Sequence, residues 1–163
     1  MLDPYRMVFV NIIASLFLLS GVVFYKFVYP KKNINLLFLL ILISLLPVIS
    51  ILRSGTYESG DLTIHTHYLM SFYDNLQFGN IFPQWTSIGY GTPVYIFLYP
   101  LPFYLGSIIH FLGFSYLSSM KLVLIISYIG SGITMYLWAK KEFGKVPGFL
   151  ASIMYLFAPY HLV

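Results

Sequence analysis

Only five acidic side chains are available for chemistry along this chain. Asp3 lies in the amino-terminal tail and Glu142 sits inside the basic Lys140–Lys145 cluster, where it reads as a solvated charge. The other three, Glu58, Asp61 and Asp74, fall together in a stretch between two apolar runs. Asp61 has the most scope, because it follows closely on an apolar run and opens a helical pattern. A carboxylate at that level can serve as a general base, or as one ligand of a divalent ion, toward a substrate held in a membrane. The plainer role is a helix N-cap, worth about 1 kcal/mol. One carboxylate can fill both roles through its two oxygens.

His65 follows Asp61 by one helical turn, so the two side chains can meet. His67 points to the opposite helix face from His65, which makes a zinc pair there a poor geometry, and no third ligand is near. His110 falls on an aromatic stretch as a packing or snorkelling residue, and His161 stands far along the chain. Arg53 and Lys121 flank apolar runs. Either can hold a lipid phosphate, Arg being better suited to bidentate contact, and either can be an ordinary interfacial anchor. There is no phosphate-binding glycine loop, nucleophile elbow or dinucleotide fingerprint. The Gly89–Gly91 region reads as a turn. With no cysteine, a disulfide framework and a thiolate metal site are both excluded.

The elements that must position these residues are apolar. Of 163 residues, 59% are hydrophobic and only 9% charged, with mean hydropathy +0.83. Soluble domains carry about 25% charged residues, so a soluble enzyme is close to excluded. Aromatics reach 20%, as suits a chain that crosses and rests on a bilayer. Nine basic and five acidic residues leave a net charge of +4, without the polar clustering that nucleic-acid binding needs. Four runs are expected to span as helices, over about 7–25, 34–52, 117–139 and 146–163. The first resembles a signal peptide, but its basic start is a single Arg6 and the small-residue cleavage site is missing, so it reads as a retained span.

A fifth apolar run, 94–113, carries Pro100 and Pro102 near its centre. Each proline inside a helix costs about 3 kcal/mol, which leaves only about Leu101–Leu112 helical, too short to span. Charge agrees with this. Lys26, Lys31 and Lys32 place the first linker in the cytoplasm by the positive-inside rule. Lys140, Lys141 and Lys145 return there only if 94–113 stays at the outer surface. Residues 53–116 then form one outer loop, with the amino terminus outside.

Within that loop, Asp61 is expected to N-cap a helix that Gly79 ends. His65, Tyr68, Leu69, Phe72 and Leu76 share its apolar face, and Thr63, His67, Ser71 and Asp74 the polar one. Such a helix is expected to lie in the interface plane, apolar side down. A turn-rich segment around Trp85 follows, then the proline-broken aromatic helix. The expected fold is all-α: a polytopic transmembrane protein of about four spans, with a long outer loop carrying two interfacial amphipathic helices. Residues 1–163 form one transmembrane module.

The order of short motifs adds a resemblance. Ser59-Gly60-Asp61-Leu62-Thr63-Ile64-His65 precedes Phe82-Pro83-Gln84-Trp85 and Gly89-Tyr90-Gly91-Thr92-Pro93. Phe97-Leu98-Tyr99-Pro100-Leu101-Pro102-Phe103-Tyr104 and Ala158-Pro159-Tyr160-His161-Leu162 follow. From about Ile34 onward the chain resembles the amino-terminal part of bacterial membrane proteins of the glycosyltransferase C superfamily. Within it, the chain is most similar to the set described as "membrane protein, 6-pyruvoyl-tetrahydropterin synthase-related". The resemblance implies a multi-pass cell-membrane protein that transfers a sugar from a polyprenyl-phosphate carrier to an acceptor at the outer face of the cell envelope. It implies Asp61 as the catalytic acidic residue, with His65 as the histidine of the Gly-Asp-x-x-x-His pattern. Arg53, Trp85 and Tyr99 are the candidates for substrate binding. Membrane lipid and lipid-linked sugar are the implied partners. No resident metal or cofactor follows, a divalent cation being the one candidate. The pterin chemistry in the description does not carry over, because the ligand set of that soluble zinc enzyme is missing. Related proteins are longer, which implies that this sequence is an amino-terminal fragment, inactive alone, with a second acidic loop beyond Val163. The alternative is a non-catalytic membrane subunit for transport, flipping or assembly of envelope glycans.

Overall fold

The structure, a computed structural model, describes residues 4–49, 51–52, 60–88 and 90–158. Arg53, Glu58, Ser59, Gly89 and His161 lie outside the described residues. The described chain is all-helical: α1 Pro4–Val28, α2 Leu36–Val48, α3 Gly60–Gln77, α4 Val94–Phe97, α5 Leu101–Phe111, α6 Tyr116–Phe143 and α7 Lys145–Leu156. Among the described residues no strand forms, and Thr86 and Thr92 make one isolated antiparallel bridge. The chain divides into two compact units, residues 1–53 with 125–163, and residues 54–124.

Two helical segments are long and apolar enough to cross a membrane, Val8–Val28 and Tyr116–Phe143. The first has none of its most apolar window buried in the protein. A helix that is apolar all round suits the inside of a protein core or of a bilayer. The helix opens at Pro4, which has no N–H to leave unsatisfied, and Pro30 bars continuation beyond Tyr29.

The expected spans 34–52 and 146–163 are shorter as helices than their apolar composition suggested. The helix in the first is α2, of 13 residues, and in the second α7, of 12. At 1.5 Å per residue each rises only about 20 Å, against about 30 Å of hydrocarbon. The causes are local. Asn35 is extended and its side chain accepts from the backbone N–H of Leu37 and Phe38, so α2 starts only at Leu36. Pro47 removes a donor from the last turn of α2. In α7, Pro159 follows Ala158 in the sequence and disfavours helical backbone there.

In the first unit, α1 and α2 form a hairpin, and α2 also packs on α7. Leu40, Tyr136 and Leu156 make the buried cluster, flanked by Phe149 and Ile153. Gly148, Ser152 and Leu156 line the buried face of α7 at four-residue spacing. Glycine permits that contact: a Cβ on Gly148 would stand 2.6 Å from the backbone nitrogen of Lys140, and one on Gly132 would stand 2.7 Å from a Leu156 methyl. The Tyr128 hydroxyl donates to the carbonyl of Leu156 (2.7 Å), satisfying an acceptor that the end of α7 leaves open. Gly144, at φ 93°, makes the turn between α6 and α7.

In the second unit, α3 packs against α5. Phe72 is fully buried at the centre, edge-on to Tyr95 and Tyr104 and stacked with Phe103. Leu62, Leu69 and Met120 complete the core. Gly79, at φ 83°, ends α3 in a Schellman arrangement, with Gly79 N–H on the Leu76 carbonyl and Asn80 N–H on that of Asn75. The proline break falls as expected: α4 is a single turn, Leu98 is extended, and α5 starts at Leu101.

Three expectations for α3 change. Asp61 lies inside its first turn, one residue after Gly60, and is not the N-cap. Ser71, assigned to the polar face, is buried. The apolar face expected to rest on the bilayer is instead filled by α4, α5 and the start of α6, with Leu69 and Phe72 inaccessible. An apolar stripe can be satisfied by protein as well as by lipid, and here Phe103 and Tyr95 supply the protein.

Candidate functional site

The residues singled out for chemistry fall in the second unit, Arg53 apart, which lies outside the described residues. The sequence builds α3 from a charged opening and a buried stripe that starts at Leu62, so within the first turn one side is held by the core and the other is open. Asp61 is exposed there. A carboxylate in the first turn also complements the partial positive charge of the helix start.

His65 sits one turn on and is half-buried, its ring edge-on to Tyr68 at 6.0 Å and tilted against Phe103 at 6.2 Å. Those rings fix the imidazole against the core. No hydrogen bond joins Asp61 and His65 among the described residues, so they share a helix side without forming a dyad. His67 faces outward, its Nδ1 donating to the Thr63 carbonyl at 2.8 Å. Trp85 and Tyr99 are exposed, Tyr99 in the break between α4 and α5. Each presents an apolar ring with a polar tip, the side-chain type that settles at a membrane interface. Lys121 is withdrawn to 8% exposure and is not an open phosphate ligand.

A divalent ion needs several oxygen ligands. Among the described residues no three His, Asp or Glu side chains come together. Asp61 offers one carboxylate, so the described side chains do not make a cation cage.

Two arrangements escaped the sequence reading. In the first, the Ser71 hydroxyl accepts from the backbone N–H of Ser87 at 2.8 Å and pairs with its hydroxyl at 3.0 Å, which ties the turn segment to α3. Beside it, Tyr95 donates to the Tyr68 carbonyl at 2.7 Å, and burial raises its phenol above the ordinary value of 10.0, though hydrogen bonds from Ser71 and Thr86 oppose the shift. Spacing could not reveal these contacts, since the partners stand 16 and 27 residues apart. The second arrangement is His110, stacked on Tyr116 at 3.7 Å and edge-on to Tyr73 at 4.7 Å. Its Nδ1 donates to the Phe114 carbonyl at 2.7 Å. That fixes the tautomer of the neutral ring and makes His110 a packing residue.

No family model, curated protein or solved structure matches the chain.

Proposed function

We propose that the chain is a multi-pass membrane module of a glycosyltransferase of the C type, moving a sugar from a lipid-phosphate carrier to an acceptor at the outer membrane face. The observation that carries this reading is the exposed carboxylate of Asp61 in the first turn of α3, within a unit whose surface is rich in apolar rings. Phe78, Phe82, Trp85, Phe97, Tyr99 and Phe111 are all exposed there. Because α3 gives its own apolar face to the core, these rings are the surface left to meet a bilayer. A substrate anchored by a lipid tail would then arrive at the depth of Asp61. The motif order that resembles the superfamily supports the same reading.

In the transfer, the acceptor hydroxyl oxygen attacks the anomeric carbon as the bond from that carbon to the phosphate oxygen breaks. Asp61 accepts the hydroxyl proton, and the lipid phosphate leaves with the bonding electron pair. An in-line displacement inverts the anomeric configuration. His65, held by Tyr68 and Phe103, orients the acceptor from the next turn. Arg53 is the basic candidate for the departing phosphate, with Trp85 and Tyr99 flanking the sugar and its lipid.

Asp61→Asn keeps shape and removes the base. In the full-length protein it lowers sugar transfer by about 10²- to 10⁴-fold while donor binding persists. Activity equal to wild type would remove Asp61 from this role, and would favour a non-catalytic subunit that holds the same lipid-linked glycan for transport or assembly.

A further inference from the structure

The first unit carries a feature that sugar transfer does not use, a groove of about 620 Å³ between α1 and α2. Its walls are almost entirely apolar. Phe17 and Gly21 of α1 face Leu39 and Leu42 of α2 across it. Only one end is polar. Tyr25, where α1 is ending, lines the groove together with Asn33 and Asn35, where α2 is about to begin. The linker at that end holds Lys26, Lys31 and Lys32, all exposed, with no acidic residue among them. Lys26 Nζ donates to the Lys32 carbonyl at 3.0 Å, and Lys32 Nζ lies 4.8 Å from the Tyr29 ring centre, so the linker is folded back on itself.

An apolar channel with an amide-lined end, next to a linker that carries three exposed lysines, is complementary to a molecule with a hydrocarbon tail and an anionic head. We infer that the α1–α2 groove holds one acyl chain of an anionic phospholipid, with its phosphate at Lys26, Lys31 and Lys32. The positive-inside rule puts this mouth at the cytoplasmic leaflet, where anionic lipids concentrate and each nearby lysine strengthens their attraction. The occupant is therefore a bilayer phospholipid and not the sugar carrier, which the proposed reaction uses at the other face. This inference rests on the membrane placement of α1 and is independent of Asp61 and of transfer activity.

Gly21 gives a direct test. A Cβ there meets nothing within 4 Å, so Gly21→Leu fits its helix and fills the groove. Each methylene displaced from an apolar site costs about fourfold in affinity. The full-length protein in detergent is titrated with phosphatidylglycerol or phosphatidylcholine of identical chains, and bound lipid is counted by native mass spectrometry. Wild type should retain phosphatidylglycerol at concentrations about tenfold lower than phosphatidylcholine. Lys31→Glu with Lys32→Glu should remove the preference and leave tail binding. Gly21→Leu should lower retention of both lipids by about tenfold or more. If the leucine variant does not fold, Gly21→Ala serves in its place and should weaken both about fourfold. Equal retention of the two lipids by wild type overturns the head-group assignment. Full retention by the folded Gly21 variant overturns the groove. Displacement by polyprenyl phosphate at concentrations where phosphatidylglycerol fails overturns the choice of a phospholipid.

Discussion

Tyr95 shows how a single side chain links the core of the second unit to its chemistry. Its ring packs on Phe72 and Phe103, and its hydroxyl donates to the Tyr68 carbonyl. Burial raises its pKa above 10.0 in the folded chain. An acid whose folded pKa is raised contributes stability that is fully present below the unfolded value and is lost as pH rises through the folded one. The thermal midpoint of the purified protein should therefore hold up to about pH 10 and fall above it. Tyr95→Phe should lower the midpoint at about pH 8, where the phenol is protonated, through one lost hydrogen bond worth about 1 kcal/mol. It should also flatten the alkaline decline. An equally steep decline in the variant would assign the alkaline transition to other groups. That Asp61 and His65 share one side of a helix was legible in the sequence, because spacing alone fixes the side of residues on one helix. The burial of Ser71 was not. A serine scores as polar in any periodicity, and the partner that satisfies its buried hydroxyl, Ser87, arrives from a separate segment.

Helix α7 shows what single elements demand. Its buried stripe begins at Gly148, which touches backbone of α6, where no side chain can move aside. Gly148→Ala should destabilise the α6–α7 pair by about 1–3 kcal/mol, read as a lower midpoint in a detergent melt. Gly130, on α6, has open space where its Cβ would be. Gly130→Ala should hold or raise the midpoint, since alanine is favoured over glycine in a helix by about 1 kcal/mol. Matching losses in the two variants would contradict the close contact at Gly148. The break between α4 and α5 was legible in the sequence, and the ends of α2 were not. Pro100 and Pro102 act on their own backbone, whereas an apolar run such as Ile34–Leu52 reads alike whether helical or not. The amide of Asn35 and the ring of Pro47 set the true limits of α2.

At the scale of the whole chain, the proposed topology puts the lysine links in the cytoplasm and Asp61 outside, with 94–113 at the surface. The proposed topology takes α6, long and apolar enough to cross a membrane, as one full crossing, and it requires α2, rising about 20 Å, to cross with help from its flanks or from local thinning of the bilayer. The chain has no native cysteine, so single cysteines report side without background. Lys31, Gln84 and Lys141 are exposed and are each replaced by cysteine in the full-length protein. Intact cells are then treated with a membrane-impermeant thiol reagent. Labelling at Gln84→Cys, with Lys31→Cys and Lys141→Cys reacting only after the cells are opened, is the predicted result. Labelling of Gln84→Cys and Lys141→Cys from the same side would mean that 94–113 crosses, and would contradict the account.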